Sequence, residues 1–202
     1  MTYINTITRH GLVARALHWL TALCMLPTLA IAVYMDTLEE KTPGDPQRYF
    51  AVLPWHKTLG VLVLCFVVVR LPWYLANRRP QPPVPAPPLQ QAVAGAVHWS
   101  LYGLMIALPL LGWYGTDAGQ ATFKLFTIWP MPRLLTGRNE ALSAFLYEIH
   151  VILGWTAVIF VALHVGAAVW HQWVIKDGLL RRMWSGSLGS PRIRESPGSP
   201  GG

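Results

Sequence analysis

The chain has 202 residues, 53% of them hydrophobic and only 12% charged, where a soluble domain usually carries about 25% charged residues. That leaves too little polar material to coat a globule, so the class is an integral membrane protein of one domain. The net charge is +7 without any basic run interleaved with aromatics, which excludes a nucleic-acid surface, and two cysteines inside apolar runs, Cys24 and Cys65, exclude a disulfide framework and are expected as small buried hydrophobes.

Crossing the hydrocarbon takes about 20 mostly apolar residues. Four segments qualify: about Gly11 to Tyr34, Tyr49 to Leu75, Ala92 to Tyr114, and Ala141 to Trp173. With no water to satisfy bare backbone, each is expected as a helix, giving an all-α four-helix membrane bundle. Pro27 and Pro109 fall mid-span and predict kinks. The apolar run of the first segment is too long for a cleaved leader, so it is expected to stay as a span. Ten Trp and seven Tyr suit the two membrane interfaces.

The connections differ in character. Residues 36–48 are polar and acidic, and residues 77–90, NRRPQPPVPAPPLQ, form a proline-rich extended linker. Residues 115–140 make the longest connection, with room for a short surface helix. The four-helix domain is expected over residues 1–184, and the Gly/Ser/Pro-rich tail over 185–202 is expected to be disordered. Basic residues set orientation. With both termini cytoplasmic, ten of the sixteen Lys and Arg residues lie inside, and only two acids, Asp177 and Glu195, do. The expectation is N-in, C-in.

Seven histidines are present, and all but His10 fall in or beside a span. Ionisable groups in membrane helices are functional candidates by default. His150 and His164 are fourteen residues apart, a net rotation of about −40° and a rise of roughly 21 Å. They share one face of the fourth helix at two depths. His56, early in the second helix, matches the outer level of His150. His18, early in the first, matches the inner level of His164. Two imidazoles facing each other at each level suit a six-coordinate haem iron, with the porphyrin filling the other four positions. Gly60, Gly154 and Gly166, close to these histidines, would let a flat macrocycle approach, although glycines also serve helix packing. A zinc ion needs four converging ligands, which two separated pairs do not offer; histidines that only satisfy hydrogen bonds would not need matched depths. His171, one heptad past His164, is a substitute ligand or a neighbour of the inner site. His98 and His171 are placed to hydrogen-bond a quinone carbonyl or to anchor helix ends. Arg70 and Lys57 are placed to neutralise haem propionates or to snorkel.

The chain resembles the bacterial cytochrome b561 family, a four-helix di-haem group that includes superoxide oxidase. The resemblance rests on Leu17-His18-Trp19-Leu20, on Trp55-His56-Lys57-Thr58-Leu59-Gly60, and on Val69-Arg70-Leu71 before the proline-rich linker. It continues with His98, Leu101-Tyr102, the run Ala107-Leu108-Pro109-Leu110-Leu111-Gly112-Trp113, and His150, His164 and His171. It spans roughly residues 7–184. It implies two haem b groups, with His18, His56, His150 and His164 as iron ligands, and electron exchange with ubiquinone in a bacterial inner membrane. Relatives often carry a further histidine three residues before the position of His98; here Gly95 stands there. Two functions follow as expectations. One is a quinone-linked oxidoreductase whose outer donor is superoxide, an anion that Lys57, Lys124, Arg133 and Arg138 would attract. The other is an electron-transfer subunit that anchors a periplasmic dehydrogenase or cytochrome c. A haem carrier without turnover is the third reading.

Overall fold

The computed structural model describes residues 3–6, 9–41, 46–78, 80 and 87–185. Four long helices dominate: α1 (Leu12–Lys41), α2 (Pro46–Ala76), α3 (Pro88–Ala118) and α4 (Glu140–Trp170). Each contains a stretch long and apolar enough to cross a membrane. They run longer than the apolar segments alone predict. A helix does not need apolar residues to continue past the hydrocarbon, and α1 carries on through the acidic stretch to Lys41. Pro88 starts α3 from within the proline-rich linker, where a missing N–H is harmless. Asn139 caps α4 by accepting from the Leu142 amide at 3.0 Å.

Pro27, Pro54, Pro72 and Pro109 all lie inside helices. In a membrane helix, hydroxyls and neighbouring chains satisfy the backbone that proline disturbs. Thr28 Oγ1 donates to the Cys24 carbonyl at 2.7 Å, and Thr21 Oγ1 to that of Leu17 at 2.6 Å.

α1 and α2 form one antiparallel hairpin and α3 and α4 a second, joined along α2 and α3. Cys24, Met25, Val63, Val67, Leu101, Leu104, Met105 and Ala157 pack in the middle. α4 turns Ile152, Trp155, Ile159, Leu163 and Trp170 outward, where acyl chains would cover them. Cys24 is buried, as expected, but Cys65 is exposed on the outside of α2. An apolar run says that a residue lies in a span, not which face of the helix it occupies.

Two ends of the bundle follow. At one, the terminal end, the start of the chain meets the ends of α2 and α4. Asn5 donates to the Arg78 carbonyl at 3.1 Å, and Arg15 to that of Trp184 at 3.1 Å. There α4 passes into one wide π turn (His171–Ile175) and a short helix α5 (Leu179–Trp184). At the other, the loop end, residues 119–139 hold no helix. They form a small hairpin, β1 (Lys124–Leu125) against β2 (Trp129–Pro130). Pro130, Pro132 and Gly137 discourage a helix there. Of the expected tail only Ser185 is described, in a turn after α5; residues 186–202 lie outside the described residues.

Candidate functional site

At the loop end, His56 of α2 faces His150 of α4, ring centroids 6.0 Å apart and planes at 76°. α1 and α3 orient the two rings. Nδ1–H of His56 donates to the Thr28 carbonyl at 3.2 Å, and Nδ1–H of His150 to the Leu108 carbonyl at 3.0 Å. A carbonyl oxygen can only accept, so Nδ1 carries the proton and Nε2 keeps its lone pair. The rings open on a cavity of about 630 Å³ walled by Met25, Leu29, Val63, Leu104, Gly60 and Gly154, with Lys57, Arg138, Tyr49 and Tyr147 among its polar groups. A Cβ added at Gly60 or Gly154 would meet nothing within 4 Å. These glycines therefore border open space rather than a packed helix. Gly112 does the opposite: its Cβ would stand 3.1 Å from His150 Cε1.

At the terminal end, His18 of α1 faces His164 of α4, centroids 6.2 Å apart and planes at 65°. Here the polarity differs. Arg70 Nη2 donates to His18 Nδ1 at 2.9 Å. A guanidinium has no acceptor, so this Nδ1 holds the lone pair and the ring N–H sits on Nε2. Arg70 also lies over the Tyr102 ring, 5.4 Å from its centroid. His98 stands edge-on to His164 at 5.2 Å, its Nδ1–H donated to the Ala94 carbonyl at 2.6 Å.

Two imidazole nitrogens gripping one metal ion at roughly 2.0–2.1 Å each, with the ring radius added on both sides, put the centroids about 6 Å apart. Both pairs have that spacing. Among the described residues no group of three or more His, Cys, Asp or Glu side chains forms a metal-binding cluster. Two imidazoles per level thus suit an ion whose remaining ligands come from a macrocycle, and the loop-end cavity, bordered by two bare glycines, offers open space beside its pair. At the terminal end Nε2 of His18 would become a ligand only with the ring proton moved to Nδ1 and Arg70 displaced from it.

The matched depths expected from sequence are thus found as two ring pairs. Lys57 lies beside His56 on the cavity wall, its ammonium 5.3 Å from the Phe123 ring centre. His171 stays apart from the His18–His164–His98 group. Its Nδ1 is 2.6 Å from Asp177 Oδ2, and its Nε2 is 3.3 Å from the Gln90 amide. Arg138, expected among the outer cations that would attract an anion, lines the cavity while pairing with Glu140 at 2.7 Å. Asp117 was not singled out at all. It is 4% exposed and accepts from the amides of Leu134 and Leu135 at 2.6 and 2.5 Å, pinning the long loop beside the cavity. An acid at the end of an apolar helix was the available signal.

A family model for prokaryotic cytochrome b561 matches residues 9–186. Cytochrome b561 homolog 2 of Escherichia coli (strain K12) is 28% identical over 183 residues, covering 91% of this chain and 95% of the relative. Probable superoxide oxidase CybB of Yersinia pestis is 31% identical over 172 residues, 83% of this chain and 90% of that protein. The match runs from just before α1 to just past α5 and takes in both histidine pairs, so the chain belongs to the prokaryotic cytochrome b561 family.

Proposed function

We propose that the protein is a transmembrane di-haem b cytochrome that carries electrons between a donor on the outer face and membrane quinone. The carrying observation is the pair of facing imidazoles at two levels, 6.0 and 6.2 Å between centroids. Haem b is the cofactor of this family, and iron porphyrin supplies one-electron chemistry when bound. In this reading His56 and His150 hold one haem and His18 and His164 the other. The basic bias of the terminal-end segments supports a cytoplasmic location for both termini, in a bacterial inner membrane.

The chain's own residues then have defined tasks. Thr28 and Leu108 lock the loop-end imidazoles with Nε2 toward the cavity. The apolar layer of Met25, Val63, Leu104 and Met105 keeps water out between the levels, about 21 Å apart along α4. Lys57 and Arg138 supply positive charge at the cavity. The relative named a probable superoxide oxidase suggests superoxide as donor. Two superoxide ions would each give one electron and leave as O₂, while one quinone takes two electrons and two protons to become the quinol. A groove lined by Gln90, Ala162, Gly166 and His171 supports a quinone site at the terminal end, with the His171–Asp177 pair as the neighbouring proton-bearing groups.

A second reading is an electron-transfer subunit for a periplasmic dehydrogenase or cytochrome c. It is favoured by the pinned loop, which exposes Phe126, Ile128 and Trp129. A reduced-minus-oxidised spectrum with haem quantification on the purified chain tests the core claim. Two low-spin b haems per polypeptide are expected, and one or none overturns the two-level assignment. Superoxide-dependent quinone reduction by the isolated chain then selects the enzyme; a stable companion polypeptide selects the subunit.

A further inference from the structure

The hairpin after α3 does not stand out into water. α2 starts ten residues before His56, α3 runs ten residues past Leu108, and α4 starts ten residues before His150, so these helices rise roughly 15 Å beyond the loop-end imidazoles. The ribbon of β1 and β2 turns back down alongside them. Its open end is held by Trp113, five residues outward of Leu108, whose Nε1–H donates to the Pro132 carbonyl at 3.2 Å. Its tip is held by Thr58, two residues inward of His56, whose Oγ1 accepts from the Phe126 amide at 3.2 Å. The ribbon therefore points toward the middle of the membrane. A hydrocarbon core about 30 Å thick, centred on histidine levels roughly 21 Å apart, ends about 5 Å outside each level. The tip reaches that boundary.

The tip is apolar and open. Ile128 and Trp129 are 66% and 64% exposed, and Phe126 is 41% exposed. Residues 125–132, LFTIWPMP, carry no charge, and Lys124 and Arg133 flank them. Trp55, exposed on α2 one turn before Thr58, continues the patch onto the outside of the bundle. The turn itself is strained. Phe126 and Thr127 have φ of 50° and 62°, the left-handed region where such two-residue turns normally place Asn-Gly. An aromatic and a β-branched residue held there point to a use for the side chains rather than to the turn alone.

We propose that the hairpin is an interfacial wedge. Phe126, Ile128 and Trp129 insert among the acyl chains of the leaflet at the loop end, and Lys124 and Arg133 meet the lipid phosphates above them. The depth selects lipid over a protein partner, because a partner would have to reach below the helix ends and into the bilayer boundary. An uncharged tip with flanking cations suits an interfacial segment, and Trp gathers at the membrane–water boundary. Phe123, at the base of the ribbon, lines the cavity beneath the Lys57 ammonium, so lipid would help to hold one wall of that cavity.

The test is the water accessibility of a nitroxide on the full-length, haem-loaded chain in nanodiscs of phosphatidylethanolamine and phosphatidylglycerol. Cys65 is exposed on α2 and gives the lipid reference in the wild-type chain, while Cys24 is buried from the label. Ile128→Cys, Trp129→Cys and Thr136→Cys are labelled one at a time in a Cys65→Ala chain; Thr136 is exposed on the outer part of the same loop. Collision with a polar nickel chelate should be at least about threefold rarer at positions 128 and 129 than at 136, because polar solutes are kept out of hydrocarbon. Both should lie close to the Cys65 value. Collision as frequent as at 136 overturns the wedge, and protection that then appears only with a co-purified polypeptide assigns the patch to a protein partner. If labelling lowers the melting temperature, quenching by brominated lipid, read as wild type minus Trp129→Phe, decides instead: equal quenching of the two chains overturns the wedge. The outcome does not depend on how many haems the chain binds.

Discussion

Arg70 donates to Nδ1 of His18 at 2.9 Å, whereas Nδ1 of His150 donates to the Leu108 carbonyl at 3.0 Å. The two levels therefore start from opposite tautomers. The loop-end pair already presents Nε2 lone pairs to a cavity; the terminal-end pair must first give up a hydrogen bond and move a proton. A charge-assisted bond of this kind contributes about 1.5–3 kcal/mol, enough to separate two affinities by tenfold or more. Haem added back to the haem-free chain is expected to fill the His56–His150 level first. Stepwise titration with His150→Ala and His18→Ala checks this. The His18→Ala chain should take its single haem at least tenfold more tightly than the His150→Ala chain.

Gly112 and Gly154 predict opposite behaviour for the same substitution. A Cβ at Gly112 lands 3.1 Å from His150 Cε1, so Gly112→Ala makes an imidazole held by its Leu108 bond give way by a few tenths of an ångström. Such overpacking costs about 1–3 kcal/mol, and thermal unfolding of the haem-free chain should show it. At Gly154 a Cβ meets nothing within 4 Å, but it projects beside the cavity. Gly154→Ala should leave the haem-free chain as stable as wild type and lower loop-end haem occupancy.

Asp117 holds two loop amides, those of Leu134 and Leu135, on one oxygen. Both bonds are charge-assisted, and the acid is buried, so its removal leaves two donors without an acceptor. Asp117→Ala is expected to destabilise the folded chain by about 1–3 kcal/mol and to raise amide hydrogen exchange across residues 121–139. Asp117→Asn keeps an acceptor oxygen and should fall between. Exchange in α1 should not change, since the loop rests on α2, where the Phe126 amide donates to Thr58 Oγ1 at 3.2 Å.

Much of this arrangement is legible in the residues. Four apolar runs force four helices because lipid leaves backbone no other partner. Fourteen residues between His150 and His164 fix one face at two depths, and the helix directions then select His56 and His18. What sequence does not carry is the orientation of side chains between helices. Arg15 and Arg182 read only as votes for a cytoplasmic end, yet both are buried. Arg70 reads as a propionate partner or a snorkelling anchor, and its bond to His18 depends on how α1 crosses α2. Gly112 sits in a run of apolar residues with nothing to mark that the His150 ring passes over it. The π turn at His171–Ile175 and the hairpin near Lys124 likewise depend on contacts that no local pattern announces.

His10 lies just outside the first span, and its imidazole is held below its ordinary value of 6.5, first by burial and then by the charges of Arg182, Arg15 and Arg70. The folded chain therefore declines a proton that the unfolded chain accepts. Stability is independent of this group above about pH 6.5 and falls as pH drops from there toward the depressed folded value. His10→Gln removes the difference, so the loss of melting temperature between pH 7.5 and pH 5 should shrink relative to wild type. Arg182→Gln takes away the largest of the three charge effects but leaves the burial, so its pH slope should lie between the two. If His10→Gln melts with the full wild-type slope, His10 is not sheltered beneath α5, and the packing of α5 onto α1 needs another description.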